Sequence, residues 1–201
     1  MKWAELTDNK TVEKTAEALR RNGIEVFIAE NGAEARKKVF ELIPEGSEVM
    51  NNKSATLDAI GVSKEILESG KYVSIRKMLT KINDEKQRHA FRRKSSSVDY
   101  DVGSVQAVTE DGQLVVVSNT GSQLAPIASA AEHVILVVST QKIVKNLDEA
   151  FRRIEEHSLP LESEQLKKLF GVPSNISKIL IINREHRNRI QLIFVKEKLG
   201  F

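Results

Sequence analysis

Short apolar runs alternate along this chain with longer stretches in which apolar residues recur every three or four positions, the two periodicities of buried strand and amphipathic helix. DNKTVEKTAEALRRN (8–22) opens on cap-type residues, sets Val12, Ala16 and Leu19 on one face and is followed by Gly23, which predicts a helix with a glycine stop. IEVFIA (24–29) predicts a strand, GAEARKKVFELI (32–43) a helix ended by Pro44, and SEVM (47–50) a brief strand. A polar loop, NNKSAT (51–56), precedes LDAIGVSKEILESG, which reads as one or two short helices, and KYVSI (71–75) reads as strand. A basic helix is expected over 83–94, capped by Asn83 or Asp84. VDYDVGSVQAV (98–108) predicts a strand running into a turn, and QLVVVS (113–118) and HVILVVS (133–139) are strands. LDEAFRRIEEHS (147–158) and LESEQLKKLFG (161–171) read as helices interrupted by Pro160, and KILIINRE (178–185) and RIQLIFVKE (189–197) as strands joined by a short polar turn.

This alternation predicts an α/β fold, a largely parallel sheet covered by helices on both faces. The last two strands stand too close for a crossover connection, so a C-terminal antiparallel hairpin is expected. With no repeat and no low-complexity linker, residues 1–201 read as a single α/β domain, of which 1–43 form a helical and strand prelude.

Composition narrows the chemistry. Hydrophobic residues make up 40% and charged residues 29% of the 201, ordinary for a globular protein. No apolar run approaches the roughly 18 residues of a membrane span, and MKWAELTDNK has no apolar signal core, so no membrane span and a cytoplasmic location are expected. The absence of cysteine excludes disulfides, thiolate catalysis and cysteine-held clusters within the chain. His89, His133, His157 and His186 share no ligand-type spacing, so no metal and no cofactor are expected. Net charge is only +3. The basic run Lys86, Arg88, Arg92, Arg93, Lys94 suits a solvated helix end set against the dipole. A phosphate- or partner-binding patch is the sharper alternative, but the run has few rings on which bases could stack, and no nucleic-acid partner is expected.

Dinucleotide, P-loop, hydrolase-elbow and zinc-protease motifs are all missing. Two polar loops remain, each after a strand and before a helical segment, where open α/β sheets bind ligands. Asn51-Asn52-Lys53-Ser54-Ala55-Thr56 could turn free backbone amides and the Lys53 charge toward an anion. It could equally be an N-cap supplied by Ser54 or Thr56. Ser118-Asn119-Thr120-Gly121-Ser122-Gln123 carries no charge, and Gly121 suits a left-handed turn, so it is either a cradle completed by an imported cation or a connector. Glu110-Asp111-Gly112 offers a carboxylate before a strand, or simply a turn.

Taken in order, NNKSATLDAIGVSKEIL (51–67), DYDVGSVQAVTEDGQLVVVSNTGSQLAPI (99–127), HVILVVSTQKIVKNLDEAFRRI (133–154) and the ending RIQLIFVKEKLGF resemble the LUD-domain family, named for lactate utilisation, over roughly residues 45–201. The resemblance is to the family's short, cluster-free type. It implies a NagB/RpiA/CoA-transferase-like fold, whose members act on sugar phosphates, acyl-CoA thioesters and folates at loops that follow strands. Carried onto this chain, it implies ligand-binding residues Asn52, Lys53, Ser54, Thr56, Gly103, Ser104, Thr120, Gly121, Ser122 and Gln123, with Lys142 as the imported cation and Glu110 as the carboxylate to test. The role implied is an accessory subunit of lactate or related organic-acid oxidation, binding a small anionic metabolite beside iron–sulfur partner subunits, itself free to form a homo-oligomer. The alternative is a stand-alone transferase or isomerase acting on a phosphorylated or CoA-linked metabolite.

Overall fold

A computed structural model describes residues 2–201 and divides their strands between two sheets. The chain runs α1 (Asn9–Arg21), β1 (Glu25–Ala29), α2 (Gly32–Leu42), β2 (Glu48–Asn51), α3 (Ala55–Ala59), α4 (Val62–Glu68), β3 (Val73–Ser74), α5 (Ile75–Thr80) and α6 (Glu85–Lys94). It continues through β4 (Tyr100–Gly103), β5 (Ala107–Thr109), β6 (Leu114–Ser118), β7 (His133–Ser139), β8 (Ile143–Val144), α7 (Leu147–Arg153), α8 (Leu159–Phe170), β9 (Lys178–Ile182) and β10 (Ile190–Val195). The larger sheet has the order β1-β10-β7-β4-β2-β3, parallel throughout. The smaller has the order β8-β5-β6-β9, antiparallel except where β8 joins β5.

Each face of the parallel sheet buries its own cluster. Val137, Ile193 and Val195 meet Ala35 and Val39 of α2 and Leu57, Val62 and Ile66 of α3 and α4. On the opposite face Leu136, Leu192 and Phe194 meet Val12 and Leu19 of α1, Ile75 of α5, and Val108, Leu114 and Val116 of the smaller sheet. Helices thus cover both faces, and the second sheet is an added layer on one of them. Its far side, through Ala107, Val115 and Val144, packs on Ala150 and Ile154.

The hairpin expected of the last two strands does not form. β9 does pair antiparallel, but with β6, whereas β10 enters the parallel sheet between β1 and β7. Burial explains the division. β10 is apolar on both faces and needs a central position, while β9 is exposed along its first half and serves as an edge. The intervening Asn183–Arg189 carries the chain from one sheet to the other.

Local chemistry accounts for the other departures. Gly61, at φ 74°, divides the 55–68 segment into α3 and α4, and Ser74 caps α5 where more strand was expected. The 98–108 stretch is two strands in different sheets, joined by Ser104–Gln106. Pro160 interrupts nothing: α7 passes through a π-helical turn, Ile154–Ser158, directly into α8. The wider turn makes room for a proline ring that a regular helix would clash with. Asp84 is the cap of α6, accepting from the Gln87 amide at 2.7 Å. No helix among the described residues is long and apolar enough to cross a membrane.

Candidate functional site

Two segments cross from the parallel sheet to the smaller one, Ser104–Gln106 after β4 and Thr140–Lys142 after β7. Beside them, beyond the carboxyl ends of the parallel strands, lies a cavity of about 330 Å³. Strand-end loops are where parallel sheets leave backbone groups and side chains unclaimed by the ladder. The crossings supply the floor, the 52–56 and 118–123 loops two of the walls, and the π turn with α8 another.

Lys142 is buried at that floor. Its Nζ donates to Ser104 Oγ at 3.1 Å, the Val105 carbonyl at 3.1 Å and Thr56 Oγ1 at 3.4 Å. None of its hydrogen-bond partners is a carboxylate, although Glu162 lines the same cavity. Burial, reinforced by the charge of Arg153, pushes its ammonium down to about 7. Arg153 is itself fully buried at the end of α7. Its guanidinium donates to the carbonyls of Gln106 (2.7 Å), Gln141 (3.4 Å) and Trp3 (3.5 Å) and to Ser158 Oγ (2.9 Å), all neutral acceptors. Burial lowers it only to about 10, so it stays cationic at neutral pH. Burial also lowers the neighbouring His157, with Arg153 and Lys142 adding to the effect.

A buried acid stands on the other side. Asp101, on β4, is completely buried, and burial raises its carboxyl to about 7 against the opposing effects of Asn52 and Arg189. Asn52 Nδ2 donates to Asp101 Oδ2 at 2.9 Å, which joins this acid to the cavity wall.

Asn52, Lys53, Ser54, Thr56, Ser104, Thr120, Ser122, Gln123 and Lys142 therefore share one cavity. Ser54 caps α3, accepting from the Leu57 amide at 3.4 Å, as the plainer reading of that loop had it. Gly103 does not line the space but allows Asn52 to stand where it does, since a Cβ there would come within 3.0 Å of Asn52 Nδ2. Gly121 adopts φ 84° behind its loop, against Lys178. That loop is held largely by its own bonds, Gly121 N to Ser118 Oγ at 2.9 Å and Gln123 Nε2 to the Val117 carbonyl at 3.0 Å. Glu110 is elsewhere, past the end of β5 and paired with Lys14 at 2.8 Å on the surface, so the carboxylate expected from sequence is not at the cavity. The groups missed were Arg153 and Asp101. The only signal of the first was its place on the apolar face that Ala150 and Ile154 share, and of the second its position within a strand.

A model of the LUD domain matches residues 12–195 of the chain. Among solved structures, a DUF162 family protein from Deinococcus radiodurans superposes with a TM-score of 0.59 at 12% identity, covering 95% of this chain and 99% of that one. Ribose 5 phosphate isomerase A from Neisseria gonorrhoeae gives a TM-score of 0.37 at 14% identity, covering 98% of this chain and 97% of that one. Among curated proteins none matches the sequence.

Proposed function

Because the chain belongs to the LUD-domain family, we propose that it binds a small carboxylate- or phosphate-bearing metabolite in the cavity at the junction of its sheets. In this reading it serves as an accessory subunit in the oxidation of lactate or a related organic acid. The observation that carries the ligand class is Lys142, buried at the cavity floor with only neutral hydrogen-bond partners and with the Arg153 guanidinium behind it. A buried charge without a counter-charge is costly, and an incoming anion recovers that cost. The cavity of about 330 Å³ lies at the lower end of the roughly 300–1,000 Å³ typical of small-molecule sites, which favours a compact anion over an entire acyl-CoA. The redox role rests on the family resemblance. Since the chain has no cysteine, any iron–sulfur cluster of such an assembly belongs to a partner subunit.

Thermal melting tests the ligand class. An anion at about a hundred times its dissociation constant adds roughly 2.7 kcal/mol, a rise of roughly 5–10 °C for a domain of this size. Lactate, pyruvate, phosphate, sugar phosphates and CoA are the panel. The expected result is a rise with one or more of the compact anions that disappears in Lys142→Met. A panel without effect removes the proposed site. Gentle purification from the native host should bring an iron–sulfur protein with the chain, and recovery of the chain alone would count against the subunit role.

The alternative, a stand-alone transferase or isomerase on a phosphorylated metabolite, draws on one observation: Lys142 and Asp101 both titrate near neutrality, as acid–base groups must. Turnover of a single compound by the isolated chain would favour it over the subunit reading.

A further inference from the structure

The cavity floor holds a primary amine in surroundings suited to both of its protonation states. As an ammonium, Lys142 Nζ has three hydrogens and three acceptors: Ser104 Oγ, Thr56 Oγ1 and the Val105 carbonyl. As a neutral amine it keeps two donors and gains a lone pair. Two of its three partners are hydroxyls, which can turn and donate to that lone pair. A carboxylate partner would have held the proton in place, and none is present among the described residues. Arg153 behind it disfavours the charged form while keeping the floor attractive to an anion. A nucleophilic amine and a proton-relaying hydroxyl pair therefore meet at one enclosed point of the cavity, with a fixed cation behind them.

We propose that Lys142 forms a reversible imine with the carbonyl carbon of a small anion held in this cavity, a 2-oxo acid or a phosphorylated aldehyde or ketone. The proposal rests on the anion-binding reading above and names the ligand's reactive group. The Nζ lone pair attacks the carbonyl carbon, the C=O π bond opens, and the oxygen takes a proton passed from nitrogen through Ser104 or Thr56. The carbinolamine then loses its hydroxyl with the second nitrogen proton as water, and C=N replaces C=O with no net change in protons or electrons. A lysine near 7 is about half neutral at pH 7, whereas an ordinary lysine is neutral in fewer than about one molecule in a thousand. Burial has thus prepared this one amine for the attack.

The experiment is reductive trapping. The chain is incubated at neutral pH with pyruvate or with glyceraldehyde 3-phosphate and cyanoborohydride, digested, and mapped by mass spectrometry, and melting is followed with the same compounds plus lactate, which has no carbonyl. The expected result is a reduced adduct on the Lys142 peptide, favoured over each surface lysine on the order of a hundredfold. It should be absent from Lys142→Arg, and its rate should fall as pH drops below 7. The arm that labels identifies carboxylate or phosphate as the anion. Labelling spread over surface lysines overturns the imine. Melting raised by lactate and pyruvate alike without any adduct overturns it too, but leaves the anion site standing. No adduct and no melting shift removes both.

Discussion

Gly103 has no side chain, and Asn52 depends on that. A Cβ there would come within 3.0 Å of Asn52 Nδ2, the atom that reaches Asp101 at 2.9 Å. In Gly103→Ala the amide must give way by a few tenths of an ångström. The expected outcome is a protein that folds with about 1 kcal/mol lost to crowding and that binds its anion roughly tenfold more weakly. Melting with and without ligand measures both, and unchanged ligand shifts would show that Asn52 plays no part in binding. At this scale the sequence displays hydroxyls and amides well, because they stand together in polar loops after apolar strands. It conceals buried charge. Arg152 and Arg153 are neighbours of identical type, yet one is exposed and the other fully buried, a difference decided by which face of the helix meets the second sheet.

Among the elements, the π turn at Ile154–Ser158 brings Ile154 and Ser158 into the cavity wall. It places Ser158, five positions beyond Arg153, over the guanidinium at 2.9 Å. Five residues of regular α-helix would turn that hydroxyl well away. Deleting the exposed Glu155 should close the turn to regular α-helix, which brings the Pro160 ring against the carbonyl four residues before it. Helicity by circular dichroism should persist, whereas the melting temperature should fall and the anion-induced rise should vanish. A deletion variant that keeps its ligand shift would contradict this role for the turn. Neither the π turn nor the pairing of the last two strands was legible in the sequence. Periodicity gives the kind of an element, but a one-residue register change leaves it almost unaltered, and strand proximity along the chain does not reveal which sheet has a vacancy flanked by apolar neighbours.

For the whole molecule, two buried groups set an unusual dependence on pH. The folded Asp101 carboxyl titrates at about 7 against an ordinary 3.8. Between those values the native state holds the extra proton, so stability falls as pH rises toward 7. The folded Lys142 titrates at about 7 against an ordinary 10.5. There the unfolded state holds the extra proton, so stability climbs again above 7. Each limb is worth on the order of 4 kcal/mol, and together they put a minimum near neutrality in the ligand-free protein. Denaturant unfolding from about pH 5 to about pH 9 should trace the dip, with Asp101→Asn removing the acid limb and Lys142→Met the alkaline one. A curve that peaks at pH 7 would refute it. The broad architecture was far more legible than this, since alternating apolar runs and amphipathic stretches follow from the parallel sheet and its covering helices.

The central place of β10 has a bearing on how the chain is made. β1 pairs with β10, Glu25 opposite Gln191, 166 positions away. At the roughly 5–20 residues per second of synthesis, β1 waits roughly ten to thirty seconds for its neighbour. Until then the parallel sheet is split, with one edge of β7 and the whole of β1 unpaired, and each is a template for the wrong strand. The nascent protein passes through that interval before its largest sheet can close.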